Sequence, residues 1–204
     1  MARAFLAPER DPLWRQPGFR QVAWLHQRLT RGLTFNFVAI RQEEHRAFLA
    51  RVAPEGQALR ALVVAGRLPG DLHVAIDCVG AIPYYSDLPT LDRLGLADAV
   101  VAHSKVDPGR MLGHDKLATV EYARRRGVEL WAVDPVHVLF HAADPDLKAH
   151  VRSAAERATA SVAAEIAPGW FLVGDPLTGL AALRKRLPAV RIEALGDSSF
   201  LGRD

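Results

Sequence analysis

The chain has 204 residues, of which 50% are hydrophobic and 24% are charged, and its formal net charge at pH 7 is +3. This length and composition predict one large domain or two small ones, and they exclude a wholly disordered or fibrous protein. Apolar runs such as Ala61–Gly66 are short, well below the ~20 residues of a membrane helix, so we expect a soluble chain with no membrane span. The single cysteine, Cys78, excludes an intramolecular disulfide.

The first third of the sequence is predicted to be mostly helical. After an irregular arm over residues 1–18, hydrophobic residues recur at helical spacing over Val22–Leu29, over about 38–52, and in a stretch that ends before Pro69. Pro54–Gly56 is predicted to separate the second helix from the third.

From residue 72 onwards, predicted strands alternate with predicted helices. The predicted strands are Leu72–Cys78, Ala99–His103, Val128–Val133, Trp170–Val173 and Ala189–Leu195, and Val136–Phe140 either continues the third strand or forms its own. The predicted helices are Lys116–Arg126, capped by Asp115 and ended by Gly127, a long amphipathic helix over 147–166, and Leu177–Leu187.

This alternation predicts an α/β fold, in which a mostly parallel sheet is flanked by helices and preceded by a helical N-terminal lead-in. We expect the lead-in, residues 1–70, to pack on an α/β domain formed by residues 71–204. The two parts could also form one continuous domain.

The most informative segment follows the first predicted strand. That strand leads into Asp77, then Gly80, and then the adjacent Tyr84 and Tyr85. Ligands of open α/β sheets bind outside the carboxyl ends of the strands, so these residues are candidates for a binding site. Flat aromatic rings of this kind pack on sugar rings. The alternative is a tight turn in which Asp77 caps backbone amides and the tyrosines close the edge of the core.

Two further segments carry polar side chains with a chemical interpretation. Asp92 and Asp98 lie six residues apart, a pair that could bind a metal or act as acid and base, although turn capping or pairing with Arg93 is the simpler interpretation. In the other segment, His114 is a candidate general base and Lys116 a candidate anion contact. The alternative there is that Asp115 caps a helix and its neighbours are solvated.

A histidine pair at metal-like spacing is not expected to bind a metal. His137 and His141 lie four residues apart in a segment that is predicted to be extended. On a strand this spacing separates the two residues by about 13 Å, too far to share one ion. We therefore expect no metal and no cofactor.

Taken together, three segments resemble a known family: Asp77 with Gly80–Ser86, Asp92–Asp98, and Gly113–Lys116. The series is similar to the soluble C-terminal, extracytoplasmic region of polytopic bacterial polyprenyl-phosphate-sugar glycosyltransferases of the arabinosyl- and mannosyltransferase type. The resemblance covers about residues 59–126. The sequence departs from the family pattern at Arg93, where an apolar residue is usual, and also at Ala97 and Asp115.

The resemblance implies an accessory role, because the carboxylate thought to carry glycosyl transfer in that family lies in the membrane-embedded half and matches no residue here. The catalytic residues are therefore unknown, and the expected partners are the membrane-embedded portion of the enzyme and a saccharide or glycolipid, with no nucleic acid. The implied function is saccharide or acceptor recognition, or packing, at the extracytoplasmic face of a bacterial membrane. The implied substrate-binding residues are Asp77, Tyr84, Tyr85, Ser86, Asp92, Asp98, His114 and Lys116.

The resemblance also implies a division of roles among those residues. The tyrosines would stack on the sugar, the aspartates would accept hydrogen bonds from its hydroxyl groups, and His114 and Lys116 would lie near a phosphate or anomeric oxygen. Two other functions remain open. The chain could be a free-standing, cytoplasmic α/β hydrolase or transferase with Asp77 and His114 as acid and base, or a pure interaction module.

Overall fold

The computed structural model describes residues 42–77, 79–107, 114–134, 136–142 and 161–195, and eight positions between residues 18 and 29. The chain divides into two compact units, Met1–Ala47 and Phe48–Asp204. In the first unit, the described residues between Phe19 and Leu29 are helical, as their hydrophobic spacing predicts. The expected irregular arm up to residue 17 lies outside the described residues.

The described secondary structure consists of helices that alternate with short strands. The helices are α1 (Gln42–Val64), α2 (Ala81–Ser86), α3 (Ala99–Ala102), α4 (Val120–Arg125) and α5 (Leu180–Arg186). The strands are β1 (Val74–Ile76), β2 (Thr90–Asp92), β3 (Leu130–Ala132), β4 (Leu139–His141), β5 (Val162–Ala167), β6 (Trp170–Pro176) and β7 (Arg191–Ala194).

The strands form one mixed sheet with the order β2-β1-β3-β6-β5-β7, and β4 also pairs with β6. The expected parallel arrangement is present where β1 pairs with β2 and β3. The pairs that involve β4, β5, β6 and β7 are antiparallel. The sheet is therefore an α/β sheet of mixed direction, and the expectation of a mostly parallel one holds only for its β1–β3 part.

One prediction about the helices is wrong, because α1 continues through the expected break at Pro54–Gly56. A proline inside a helix removes a hydrogen bond and crowds the preceding turn. Here the residues on both sides of Pro54 are tied to the same core, since Val52 and Leu59 are buried in one hydrophobic cluster. Tertiary packing therefore holds the helix together despite its local sequence.

The segment after β2 also differs from the prediction. Ala99–His103 was predicted as a strand, but Ala99–Ala102 is the short helix α3, and the strand in this region is Thr90–Asp92. The reason is a helix cap: the Asp98 carboxylate accepts hydrogen bonds from the amides of Val100 and Val101.

Helix α4 is shorter than predicted and has a different cap. It begins at Val120, where the Thr119 hydroxyl accepts a hydrogen bond from the Tyr122 amide. Asp115 therefore does not cap it. The predicted helix end is confirmed, because Gly127 follows α4 with a φ of 74°, a conformation that favours glycine.

The helix predicted over 147–166 is wrong at its C-terminal end, where Val162–Ala167 is β5, and residues 143–160 lie outside the described part. Four of the six residues of β5 are buried, and the strand pairs with β6 on one side and with β7 on the other. A helical spacing of hydrophobic residues does not exclude a strand whose two faces are both buried. Pro168 and Gly169 then form the turn that joins β5 to β6, and the φ of Gly169 is 75°.

The largest hydrophobic cluster joins α1, β1 and the β5–β6 hairpin through residues such as Leu59, Val74 and Leu172. A second cluster on β1 and β2 includes Leu91 and Val128. Among the helices that the structure describes, none combines the length and the apolar character that a bilayer crossing requires.

Candidate functional site

The carboxyl ends of the three parallel strands meet at one edge of the sheet, and Arg93 lies across all three. Its Nε atom donates to Asp77 Oδ1 at 2.5 Å, at the end of β1, and its Nη1 atom donates to the Ala132 carbonyl at 2.6 Å, at the end of β3. The guanidinium carbon also lies 4.7 Å from the centre of the Trp131 ring. Arg93 itself directly follows β2, so one side chain joins three strand ends.

The Arg93–Asp77 pair is buried, with 7% and 16% of the two side chains exposed. The Asp77 carboxylate is thus placed as a hydrogen-bond acceptor for the Arg93 guanidinium. From the sequence, Arg93 was interpreted only as a departure from the family pattern or as a partner for Asp92. No strand was predicted over Thr90–Asp92, so no sequence signal placed Arg93 at a strand end.

Asp92 shapes the loop that follows β2. Its carboxylate accepts hydrogen bonds from the amides of Leu94 at 2.9 Å, Gly95 at 3.0 Å and Ala97 at 2.5 Å. Since Asp92 is itself buried, these amides supply the hydrogen-bond donors that a buried carboxylate requires. The geometry agrees with the turn-capping interpretation of Asp92.

Asp98 is likewise surrounded by donors. Besides capping α3, it accepts hydrogen bonds from the Tyr122 hydroxyl at 3.0 Å and from Arg126 Nη1 at 3.2 Å. Burial alone would raise the pKa of Asp98, but the hydrogen bonds from backbone amides and from Tyr122 outweigh burial and lower it. Asp92 and Asp98 therefore serve the local backbone, and neither projects freely into a cleft.

Ser86 has a similar local role, because its buried hydroxyl accepts a hydrogen bond from the Leu88 amide at 3.2 Å just after α2. The next residue, Asp87, has a φ of 59°, and its amide donates to the Pro83 carbonyl to end the helix. This arrangement fixes the exit from α2.

Tyr84 and Tyr85 form an aromatic surface on α2. Their ring centres are 5.0 Å apart at an interplanar angle of 85°, and the residues are 78% and 37% exposed. The hypothesis that both tyrosines close the core edge therefore does not describe Tyr84. Helix α1 packs closely behind them, because a Cβ added at Gly56 would lie 3.0 Å from Tyr85 Cβ.

The His114 segment lies next to Arg93, since the Ala118 amide donates to the Arg93 carbonyl at 2.7 Å. His114 Nδ1 is buried and has no hydrogen-bond partner among the residues that the structure describes. Lys116 Nζ lies 3.5 Å from the buried Asp115 carboxylate, so its charge is partly compensated. Ala118, two residues after Lys116, is thus hydrogen-bonded to the residue that directly follows β2.

A second polar cluster, which the sequence analysis missed, surrounds Glu55 of α1. Its Oε1 atom accepts hydrogen bonds from the amides of Val138 and Leu139 at 2.8 and 2.9 Å, and its Oε2 atom lies 2.6 Å from His137 Nδ1. Glu55 therefore holds the irregular segment that leads from β3 into β4, two strands that both pair with β6. No sequence signal indicated this role, because Pro54–Gly56 was predicted to break the helix that in the structure carries Glu55.

The same contacts determine the charge of His137. Burial alone would lower the pKa of His137, but the hydrogen bond and the negative charge of Glu55 outweigh burial, so the pKa is raised above its ordinary value. His141 instead packs against Trp170, with ring centres 4.8 Å apart. Across the described part of the chain, no group of three His, Cys, Asp or Glu side chains is placed to hold a metal ion.

Comparison with known families matches most of the chain to one family model. Residues 39–187 match a family described as a domain of unknown function (DUF8728), and the chain belongs to that family. The match includes α1, the carboxyl edge of β1–β3 and the tyrosine pair. No curated protein matches the chain significantly. No solved structure does so either.

Proposed function

We propose that this chain is an accessory domain of a bacterial membrane glycosyltransferase, and that it recognises the saccharide of the acceptor or donor without supplying the catalytic base. The motif resemblance over about residues 59–126 supports the enzyme class. The observation that carries saccharide recognition is the exposure of Tyr84, 78% of which is open to solvent beside Tyr85. Exposed aromatic rings with a polar edge are typical of surfaces that bind amphipathic ligands.

The arrangement of polar groups fits this proposal in part. Asp77 remains the candidate acceptor for sugar hydroxyl groups, since it lies at the end of β1 and α2 follows within a few residues. His114 and Lys116 remain candidates for an anionic group near the same edge. Ser86, Asp92 and Asp98, in contrast, use their side chains to hold the backbone, so we assign them to packing within the domain.

The same proposal places the domain at the extracytoplasmic face of the membrane, beside the membrane-embedded part of the enzyme. The alternative of a free-standing hydrolase or transferase rests on the buried Nδ1 of His114, for which the described residues offer no hydrogen-bond partner. It is less favoured because Arg93 holds the carboxylate of Asp77, the other half of the acid–base pair, at 2.5 Å.

Ligand-observed NMR with mannose- and arabinose-containing oligosaccharides tests the proposal. We expect the full chain to bind, Tyr84→Ala to weaken binding about tenfold, and Tyr84→Phe to retain most of it because the ring is kept. Val64→Ala, at an exposed apolar residue of α1, is the matched control and should change nothing. Absence of binding by the unaltered chain, or equal binding by Tyr84→Ala, would refute saccharide recognition at this surface.

The enzyme alternative gives a different result in the same samples. Turnover of the oligosaccharides that disappears in both Asp77→Asn and His114→Ala, with thermal unfolding unchanged, would favour the hydrolase or transferase. Binding without turnover would favour the accessory domain.

A further inference from the structure

An exposed apolar surface lies on the loop and short helix that follow β2. We define it as the apolar loop face, formed by Leu96, Ala97, Ala99 and Val100, all of which are exposed, Leu96 by 66% and Val100 by 60%. On the other side of α3, Val101 is buried in the core. The apolar loop face is therefore separate from the core that α3 covers.

The backbone beneath this face is held in place on both sides. Asp92 binds three amides of the loop, and Asp98 caps α3. A Cβ added at Gly95 would lie 2.6 Å from the Ala102 nitrogen, so the loop lies directly against α3. A loop fixed in this way keeps its leucine and valine directed to solvent.

Two adjacent arginines, Arg125 and Arg126, lie at the C-terminal end of α4, which Arg126 joins to the cap of α3. Arg126 binds Asp98, the cap of α3, at 3.2 Å, and about half of its side chain is exposed. Arg125 is exposed, its guanidinium carbon lies 5.9 Å from the Tyr122 ring centre, and no carboxylate of the described residues pairs with it. Guanidinium groups at the end of α4 thus lie next to the cap of α3, the helix that carries part of the apolar loop face.

We propose that the apolar loop face, together with Arg125 and Arg126, binds the surface of a bilayer that contains anionic lipids. Leucine and valine side chains enter the boundary between headgroups and acyl chains, and arginine contacts the lipid phosphates. Neither interaction alone gives stable binding, and this surface offers both.

A single-stranded nucleic acid would require open aromatic rings for stacking, whereas the Tyr122 ring is covered by the two guanidinium groups. A membrane surface therefore fits this face better than a nucleic acid does. The inference goes beyond the saccharide proposal and uses none of its residues.

Co-sedimentation of the full chain with vesicles tests the inference. We expect binding to phosphatidylcholine vesicles that contain phosphatidylglycerol, weaker binding without it, and loss of binding at high salt. Leu96→Ser should weaken binding about tenfold, because the substitution removes about half of the free energy that a leucine side chain gains on leaving water for an apolar environment. Arg125→Glu changes the charge by two units and should weaken binding about 25-fold, at about fivefold for each charge.

Matched controls come from the end of α1, where Val64 is 76% exposed and Arg67 is also exposed. Val64→Ser and Arg67→Glu should bind the vesicles as the unaltered chain does. Thermal unfolding checks that Leu96→Ser folds, and Val100→Ser replaces it if it does not.

Three results would overturn the inference. One is absence of binding to the anionic vesicles. Another is an equal loss of binding in the controls and the test variants. The third is binding only to vesicles that carry membrane proteins, which would assign the face to a protein partner. Because the residues differ, a failure here leaves saccharide binding by Tyr84 unaffected.

Discussion

Replacement of Glu55 by alanine is expected to destabilise the domain more than most single substitutions. The variant removes a buried carboxylate that accepts hydrogen bonds from two backbone amides and pairs with His137 at 2.6 Å. Each buried amide left without a partner costs about 1–3 kcal/mol. We therefore expect the free energy of unfolding to fall by about 3–5 kcal/mol, a large part of the 5–15 kcal/mol that is usual for a domain.

Urea denaturation followed by circular dichroism measures this change, with the m-value checked for two-state behaviour. Gln57→Ala is the matched control, because Gln57 is exposed on the same helix and its removal should change stability by no more than about 0.5 kcal/mol. A loss below about 1 kcal/mol in Glu55→Ala would mean that the irregular segment between β3 and β4 is held by its own turn, and the reasoning would be wrong.

The pH dependence of the free energy of unfolding, compared between the unaltered chain and Glu55→Gln, tests the charge of His137. Because the pKa of His137 is raised in the folded state, its stabilising contribution is fully present below the unfolded pKa of about 6.5. It is lost as the pH rises through the folded pKa. Glu55→Gln keeps an acceptor for the amides but removes the charge, so the decline in stability above pH ~6.5 should flatten.

His73 titrates in the opposite sense. Burial and the charge of Arg126 lower the pKa of His73, so the contribution of His73 to the free energy of unfolding increases with pH. Because Glu55 is not among the groups that shift the pKa of His73, the difference between the unaltered chain and Glu55→Gln isolates His137. An unchanged slope in Glu55→Gln would contradict the assignment.

Three further predictions concern the carboxyl edge of the sheet, and urea denaturation measures each of them. Arg93→Leu should lower the free energy of unfolding by about 3–5 kcal/mol, because it leaves the largely buried Asp77 carboxylate without its partner. Adding Asp77→Asn should recover at least part of that loss, and no recovery in the double variant would refute the coupling. Asp92→Ala should cost about 2–4 kcal/mol because three amides lose their acceptor, and a neutral result would mean that water replaces the carboxylate. Gly95→Ala should lower the free energy of unfolding by at least about 1–3 kcal/mol, because a φ of 80° is strained for alanine and the new Cβ would lie 2.6 Å from the Ala102 nitrogen. A stability equal to that of the unaltered chain would contradict this geometry.

The sequence predicted those elements whose signals are local. The strand before Asp77 is a short apolar run bounded by turn residues, and the end of α4 is marked by Gly127. Prediction from the sequence failed for elements whose type is determined by long-range packing. Pro54 is a strong local breaker, yet the buried residues on either side of it keep α1 in one piece. Val162–Ala167 has too little local character to distinguish a buried strand from a helix, and its pairing with β6 and β7 decides the outcome.

In the candidate site, too, the sequence predicted what depends on local signals and missed what depends on distant partners. The carboxyl-end rule for parallel strands located Asp77 correctly at the edge where β1, β2 and β3 end. Arg93 and Glu55 were not assigned because their roles depend on partners 16 and 82 residues away in the chain. A charge whose partner is so distant leaves no periodic pattern in the sequence.

The polar residues of the three motifs divide into two groups by what their side chains bind. Asp92 accepts hydrogen bonds from nearby backbone amides, and Asp98 accepts them from two amides, the Tyr122 hydroxyl and Arg126, so substituting either aspartate should affect stability before it affects any ligand. Tyr84 contacts solvent over most of its surface, so its substitution should leave stability almost unchanged. If a ligand binds at this edge, loss of binding without loss of stability is expected at Tyr84 and the reverse at Asp92. The motif resemblance alone gives no such distinction, because it weights both residues equally.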